Sequence, residues 1–238
     1  MLSTRGVFFK SSCHFKFPTL SNIIGRYPET RRSAIKLYLI RHGETTWNQQ
    51  RIIQGSGSDT DLSEKGKAQA ESLGRSMKDV SLTRVYSSPL KRAMDTAAAV
   101  AGPHNLKVVP EPDLREIHVG EMEGMSLETF GQNFSQFLVD WQTKGDAVDF
   151  KGGENLGQFR DRVWTVVRRI VEANPGGSVV VVSHYFVTAT VVCTALGMPL
   201  THLVRVRIQP SSRTILEFAD GCQPRLLLLS DTCHLKER

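Results

Sequence analysis

Residues 178 to 204, SVVVVSHYFVTATVVCTALGMPLTHLV, contain no Lys, Arg, Asp or Glu. A stretch of this length without charge must leave water, either across a bilayer or inside a protein core. His184, Pro199 and several threonines interrupt it, and its β-branched run followed by an Ala/Leu segment favours a buried strand leading into a helix. We therefore predict a soluble protein without a membrane span.

Apolar runs with the length of strands recur along the chain and alternate with helical patterns. The predicted strands are 36–40, 84–87, 108–109, 178–183, 204–208, 214–218 and 226–229. The predicted helices begin after Ser63, near Pro89, near Asn155 and near Phe186. This order predicts an α/β fold: a three-layer α-β-α sandwich with a mostly parallel central sheet.

The charge of the chain is unevenly distributed. Of the net +6, all lies in residues 1–36, which hold seven Lys/Arg against Glu29 alone, leaving 23 residues of each sign afterwards. A neutral body predicts no nucleic-acid partner. The composition is that of an ordinary globular protein, so we expect one domain over residues 35–238.

Residues 1–34 are basic and rich in serine, which resembles an organelle transit peptide. The alternative is a disordered basic extension without a targeting function. A transit peptide would send the protein to the chloroplast or the mitochondrion; otherwise we expect a cytoplasmic protein. The sequence does not discriminate between the two organelles.

The four cysteines, Cys13, Cys193, Cys222 and Cys233, show no C-x-x-C pairing. Neither a zinc site nor a disulfide framework is indicated. We expect free thiols and no metal site.

Arg41 and His42 directly follow one predicted strand, and His184 follows another. Ligands of open α/β sheets bind beyond the carboxyl ends of the strands, so both histidines can face one crevice. Neighbouring cationic side chains repel each other unless an anion lies between them. The sequence therefore predicts an anion site at this edge.

Five segments carry the remaining chemistry. They are RHGETTWN with Gln54-Gly55, LSEKGKAQA from Leu62, YSSPLKRAMDTA from Tyr86, LREIHVGEMEG from Leu114 and VVVVSHYF from Val179. In order and residue type, and together with GGENLGQFRDRV from Gly152, they resemble the histidine phosphatase superfamily, also called the phosphoglycerate mutase-like family. The resemblance extends from Ile35 onward.

The resemblance implies a covalent phosphohistidine mechanism without cofactor or metal, acting on a small phosphorylated metabolite. It assigns the nucleophile to His42, the phosphate pocket to Arg41, Arg92 and His184, and the proton donor to Glu116. Asn48, Gln54 and Gly55 match positions that also touch phosphate in the family.

The chemistry fits these residue types. Phosphoryl transfer requires positioning and neutralisation of the phosphoryl oxygens, and the planar guanidinium of arginine suits both tasks. His42 must attack as a neutral imidazole with its other ring nitrogen held by an acceptor. Glu116 must be neutral before the first step, so we expect burial to raise its pKa.

The chain departs from the family pattern after the second histidine, where glycine is usual and Tyr185 stands here. We assign Tyr185 to the substrate-binding residues. Its bulk bears on the tightness of the phosphate cradle and on the substrate class.

A short helical cap is expected over residues 117–151. Its apolar residues follow the i, i+4, i+7, i+8, i+11 spacing of one amphipathic helix: Phe130, Phe134, Phe137, Leu138 and Trp141. The favoured interpretation is that this stripe packs the cap onto the body; the alternative is that one or two aromatic rings face the substrate.

The cap is shorter than that of cofactor-dependent mutases, which favours the phosphatase branch. The alternatives are a mutase-type phosphotransferase and a noncatalytic protein that binds phosphometabolites.

Arg205 and Arg207 share one face of the predicted strand 204–208. We favour a solvated face over recognition of a second anionic group. The oligomeric state cannot be predicted from these patterns.

Overall fold

The computed structural model describes residues 34–219 and 223–236, and these residues build a six-stranded mixed sheet. Its order is β3-β2-β4-β1-β5-β6. The strands are β1 (Ile35–Arg41), β2 (Arg84–Ser87), β3 (Val108–Pro110), β4 (Ser178–Ser183), β5 (Arg213–Phe218) and β6 (Arg225–Asp231). Strands β1 to β4 run parallel, and β5 and β6 add an antiparallel edge. The prediction of a mostly parallel sheet is confirmed.

The register of the two central strands places the site. Strands β1 and β4 pair in parallel with Arg41 opposite Ser183 at their carboxyl ends. The next residues, His42 and His184, therefore leave the sheet side by side. This confirms the expectation that both histidines share one edge.

Helices cover both faces of the sheet. They are α1 (Thr46–Gln49), α2 (Glu64–Met77), α3 (Lys91–Ala101), α4 (Leu127–Asn133), α5 (Ser135–Lys144), α6 (Leu156–Glu172) and α7 (Tyr185–Ala195). Along β4, Val179 and Val181 join the core formed with α6 and α7, whereas Val180 and Val182 join the core formed with α2 and α3. Alternate residues thus face opposite layers, which explains the uninterrupted valine run and confirms the three-layer sandwich.

Two helix starts follow the sequence signals. Ser63 caps α2 by accepting a hydrogen bond from the backbone N–H of Gly66. Asn155 caps α6 by accepting from Gly157 and Gln158. Each side chain satisfies backbone donors that the first helical turn leaves unpaired.

The predicted strand 204–208 is wrong. A 3₁₀-helix, Leu200–Arg205, occupies its first half, and the rest is irregular chain. Val206 and Ile208 are buried and Arg205 and Arg207 are exposed. The period-two pattern therefore reflects alternating burial of side chains, although this backbone pairs with no strand in the described residues. The solvated interpretation agrees with the exposure of Arg207, whereas Arg205, although exposed, also lines a cavity beside the cap.

The aromatic stripe of the cap lies on two helices, because α4 ends and α5 begins at Phe134. The backbone of Phe134 leaves the helical region there (φ −120°, ψ 30°), close to Gly131 and Asn133, which are weak helix formers. Phe130 and Phe137 still meet across the break, with ring centroids 6.1 Å apart. The prediction of one continuous helix is therefore corrected to a bent pair.

Within the described residues, no helix combines the length and apolarity needed to cross a membrane. Cys193 is a buried free thiol and Cys233 an exposed one. Cys13, Cys222 and the predicted transit peptide lie outside the described residues.

Candidate active site

His42 is buried directly after β1, and hydrogen bonds to nearby backbone groups fix its position. Its backbone N–H donates to the Ser183 carbonyl on β4 (2.9 Å), and its carbonyl accepts from the backbone N–H of Ser211 (3.1 Å). Its Nδ1 lies 2.7 Å from the Gly43 carbonyl oxygen. A carbonyl only accepts, so Nδ1 carries the proton and Nε2 presents a lone pair when the ring is neutral.

The pKa of His42 lies well below its usual value. Burial is the main cause, and the charges of Arg92 and Arg41 add to it. The imidazole is therefore neutral at physiological pH, the form that a nucleophile requires.

Gly43 allows the turn after His42 to pack against α2. A Cβ on Gly43 would lie 2.6 Å from the Gly66 carbonyl oxygen, and one on Gly66 would lie 1.9 Å from the Glu44 carbonyl oxygen. The Gly43 N–H donates to Thr96 Oγ1 on α3 (3.0 Å). Close backbone packing thus requires a glycine at this position.

His184 lies at the first turn of α7, fully buried beside His42. The two ring centroids are 5.2 Å apart. Nε2 of His184 lies 2.8 Å from Ser88 Oγ. Burial, followed by the nearby Arg92, holds the pKa of His184 well below its ordinary value. Ser88 therefore anchors one ring nitrogen, and Nδ1 has no hydrogen-bond partner among the described residues.

Arg41 extends from the last residue of β1. Its Nη1 donates to the Ile208 carbonyl (2.8 Å), and its Cζ lies 5.6 Å from the centre of the Tyr185 ring. The segment predicted as a strand thus supplies an acceptor for a site arginine. The phenol lies over the guanidinium, a cation–π arrangement.

Arg92 lies on α3 and is completely buried. Its Nη1 donates to the Ser58 carbonyl (2.7 Å) and its Nη2 to the Gly55 carbonyl (2.9 Å). Burial lowers the pKa of Arg92 to about 10, so the group stays charged at neutral pH. The loop 55–58 therefore sets where this positive charge points.

Glu123 holds that loop in place. Its carboxylate accepts from the N–H of Gly55 (2.9 Å), the N–H of Gly57 (3.2 Å) and the hydroxyl of Ser58 (2.6 Å). A Cβ on Gly55 would lie 2.6 Å from Glu123 Oε2. Gly55 is thus a glycine because the carboxylate approaches its backbone closely.

Three buried nitrogen atoms of this cluster have no hydrogen-bond partner within the described chain: Arg41 Nε, Arg92 Nε and His184 Nδ1. Buried donors are rarely left unpaired, because each loses its hydration without compensation. The two arginine Nε–H groups are donors, and His184 Nδ1 is a donor when its ring is protonated there; such a cationic cluster suits an anion with several oxygens.

Glu116 is buried next to this cluster. Its Oε1 accepts from the Ile117 N–H (3.0 Å) and its Oε2 from the Phe186 N–H (3.2 Å). Burial raises the pKa of Glu116 to about 7, although both hydrogen bonds and the charges of Arg92 and Arg41 oppose the rise. The direction is the one predicted, and it leaves a carboxyl that exchanges its proton near neutral pH.

The segment that carries Glu116 is clamped on both sides. Arg162 Nη1 donates to the carbonyls of Asp113 (2.7 Å) and Arg115 (3.1 Å), and its Nη2 donates to Glu154 (2.9 Å). Glu154 in turn accepts from the His118 N–H (2.8 Å). The motif GGENLGQFRDRV thereby positions the carboxyl.

Asn48 and Gln54 have structural partners in the loop after β1. Asn48 Oδ1 accepts from the Thr45 N–H (3.1 Å), which directs its amide nitrogen elsewhere. Gln54 accepts from Thr45 Oγ1 (3.2 Å) and donates to Thr60 Oγ1. Their contact with phosphate stays a prediction.

The structure brings Arg41, His42, Arg92, Glu116 and His184 into one buried cluster. Sequence reasoning missed the groups that orient them. Ser88, Thr96, Glu123 and Ser211 are the clearest cases. Ser88, Thr96 and Glu123 lie inside the motif segments YSSPLKRAMDTA and LREIHVGEMEG, which could have drawn attention to them. Ser211 lies in no such segment. No group of three or more His, Cys, Asp or Glu side chains in the described ranges is placed to hold a metal.

Comparison with known proteins agrees with this geometry. Residues 37–232 match the family model of the histidine phosphatase superfamily, branch 1. Phosphoserine phosphatase 1 of Hydrogenobacter thermophilus is 34% identical over 85% of this chain and 95% of its own. Phosphoglycerate mutase-like protein 4 of Arabidopsis thaliana is 33% identical over 85% and 87%.

Among solved structures, phosphoserine phosphatase from Entamoeba histolytica, in complex with 3-phosphoglyceric acid, superposes with a TM-score of 0.77. It is 28% identical, and the match covers 85% of this chain and all of that one. By its family model and these relatives, the chain belongs to the histidine phosphatase superfamily, branch 1, and is a phosphatase.

Proposed function

We propose that this protein hydrolyses phosphomonoesters of small metabolites through a phosphohistidine on Nε2 of His42, without a metal ion. The observation that carries the proposal is a set of three buried nitrogen atoms without a hydrogen-bond partner among the described residues, on Arg41, Arg92 and His184, in one cluster with a neutral histidine whose tautomer is fixed. Such a site is complementary to a phosphoryl dianion. The complexes of relatives with phosphorylated small molecules support the same ligand class.

In the first step, the lone pair of His42 Nε2 attacks phosphorus and the bond between phosphorus and the ester oxygen breaks. The protonated Glu116 carboxyl gives its proton to the departing oxygen, so a neutral alcohol leaves. Arg41 and Arg92 neutralise the charge that spreads over the phosphoryl oxygens.

In the second step, water attacks phosphorus and gives a proton to the Glu116 carboxylate. The bond between Nε2 and phosphorus breaks, its electron pair returns to His42, and inorganic phosphate leaves. Because the carboxyl starts neutral and ends neutral, one residue serves as acid and then as base.

The test is phosphate release from a panel of small phosphomonoesters in the presence of EDTA, beside His42→Ala and Thr46→Ala. Thr46 is an exposed residue on α1 near His42 in the sequence, so its variant controls for effects of mutagenesis and purification that do not involve the site. We expect release that survives EDTA, is lost in His42→Ala and persists in Thr46→Ala. Release that continues in folded His42→Ala, or that EDTA abolishes, would overturn the proposal.

A mutase transfers the phosphoryl group to a second hydroxyl through the same kind of intermediate. The relative named phosphoglycerate mutase-like makes this the alternative to examine. The same assay separates the two, because isomerisation of 3-phosphoglycerate stimulated by 2,3-bisphosphoglycerate, with no net phosphate release, would identify the mutase.

A further inference from the structure

A cavity of about 590 Å³ lies between the cap and the 3₁₀-helix Leu200–Arg205. Its wall is formed largely by apolar side chains, of which Phe130, Phe137, Trp141, Phe150 and Phe186 are aromatic. This volume is in the range of small-molecule sites. The cavity is large and apolar, whereas the phosphoryl site is compact and cationic.

Phe186 connects the cavity to the catalytic cluster. Its backbone N–H donates to Glu116 Oε2 (3.2 Å), while its ring lines the cavity and packs against Trp141 with centroids 6.1 Å apart. In the proposed mechanism, the leaving-group oxygen must lie within hydrogen-bond distance of Glu116. None of the five cluster residues lines the cavity, but a leaving group that extends from Glu116 past the Phe186 backbone would reach this wall.

The composition of the wall restricts what can bind there. None of the described residues that line it is acidic, and its charged or titratable members are His202 and Arg205. A leaving group with an ammonium, such as serine, finds no carboxylate on this wall. An apolar or aromatic alcohol finds a complementary surface.

The mouth of the cavity carries apolar side chains that water reaches. Leu138 is 47% exposed and Val204 is 59% exposed. Both line the cavity and are contributed by different elements, the cap helix α5 and the 3₁₀-helix. Exposed apolar side chains grouped at an opening are typical of a binding surface for apolar matter.

We propose that the preferred substrates are phosphomonoesters whose alcohol is bulky and apolar or aromatic, with the organic part bound in this cavity. This inference rests on the proposed phosphatase function and adds the substrate class. It separates this chain from its relatives named for phosphoserine.

The experiment compares 3-phenylpropyl phosphate with propyl phosphate and O-phospho-L-serine on the full chain. The first two release primary alkoxides of similar basicity, so a difference reports binding of the phenyl group and not leaving-group chemistry. We expect kcat/KM for the phenyl ester to exceed that of propyl phosphate at least about tenfold, from burial of one ring.

The paired variants are Leu138→Asn/Val204→Asn at the mouth and Leu227→Asn/Leu229→Asn on β6. Leu227 and Leu229 are 48% and 43% exposed and do not line the cavity. The ratio of kcat/KM values, phenylpropyl over propyl, should fall at least about threefold in the mouth variant and stay within about twofold in the β6 variant.

Equal kcat/KM for the two alkyl esters, a preference for phosphoserine, or an unchanged ratio in the mouth variant would overturn this inference while leaving the phosphatase intact. Loss of hydrolysis for every ester would instead contradict the proposed function itself.

Discussion

At the scale of single residues, the proposed proton donor Glu116 should control the pH dependence of hydrolysis. Its pKa of about 7 means that the proton needed for the first step is lost as pH rises through neutrality. kcat/KM for an alkyl phosphate should therefore fall about tenfold per pH unit well above pH 7. The measurement is a pH profile from 5 to 10.

Glu116→Gln is the matched variant. Its kcat/KM for alkyl phosphates should be about 10²- to 10⁴-fold lower than that of the wild type. The loss in kcat/KM should be much smaller with 4-nitrophenyl phosphate, because that leaving group departs without a proton, whereas kcat should still fall because Glu116 also accepts the proton of the attacking water. A flat wild-type profile to alkaline pH would contradict the assigned role.

Tyr185 takes the place of the glycine usual in the family, and its ring lies 5.6 Å from Arg41 Cζ. Removing the ring in Tyr185→Leu should raise KM about two- to fivefold, as loss of one cation–π contact implies. Tyr185→Phe keeps the ring and should change KM less than about twofold. Equal effects in both variants would show that the hydroxyl, and not the ring, matters.

At the scale of elements, α6 positions Glu116 through Arg162 and Glu154. Arg162→Met frees the carbonyls of Asp113 and Arg115 and admits water to the segment. We expect kcat to fall about tenfold. The alkaline limb of the pH profile should move towards lower pH, because a better-solvated Glu116 has a lower pKa.

Arg160→Met is the control on the same helix. Arg160 pairs with Asp146 and Asp161 and makes no hydrogen bond to the segment 113–118 within the described residues. It should leave the pH profile unchanged. An Arg162→Met enzyme that loses activity with an unmoved profile would assign Arg162 a structural function only.

How far the sequence predicts this architecture differs between elements. The valine run of β4 and the caps Ser63 and Asn155 are local signals, so strands and helices there follow from the chain itself. The segment 204–208 alternates correctly, yet it leads to the end of β1, whose two edges are already paired with β4 and β5. Pairing is a property of the tertiary structure that periodicity does not contain.

The same distinction holds for the site. Strand ends that collect at one sheet edge predict Arg41, His42 and His184 together. Arg92 lies on a helix and Glu116 in irregular chain, so both are predicted only through the resemblance of their motifs to the family. The hydrogen bond from the Ser211 N–H to the His42 carbonyl joins residues far apart in sequence, so no local sequence motif predicts it.

At the scale of the whole molecule, the raised pKa of the Glu116 carboxyl lowers the folding stability at neutral pH. In the folded protein Glu116 keeps its proton to about pH 7, whereas the unfolded chain loses it near 4.5. Folding stability contributed by this group is therefore fully present below pH 4.5 and is lost as pH rises to 7, by about 3 kcal/mol.

Glu116→Gln should consequently be more stable than the wild type at pH 8, with a difference that shrinks at pH 4.5. Urea unfolding at the two pH values measures it. A difference independent of pH would mean that the carboxyl is not buried with a raised pKa.

The predicted transit peptide, residues 1–34, stays a prediction about the whole molecule. A fluorescent protein fused behind these residues should accumulate in a chloroplast or mitochondrion. A diffuse cytoplasmic signal would favour the basic extension without a targeting function.

The central claim is that His42 carries the phosphoryl group during turnover. A single-turnover reaction with ³²P-labelled substrate, quenched in alkali, should give a label that is stable to base, labile to acid and located on the peptide containing His42. It should form and decay no more slowly than turnover. Labelling of another residue, or the absence of label from an active enzyme whose covalent step is shown to be fast, would contradict the account.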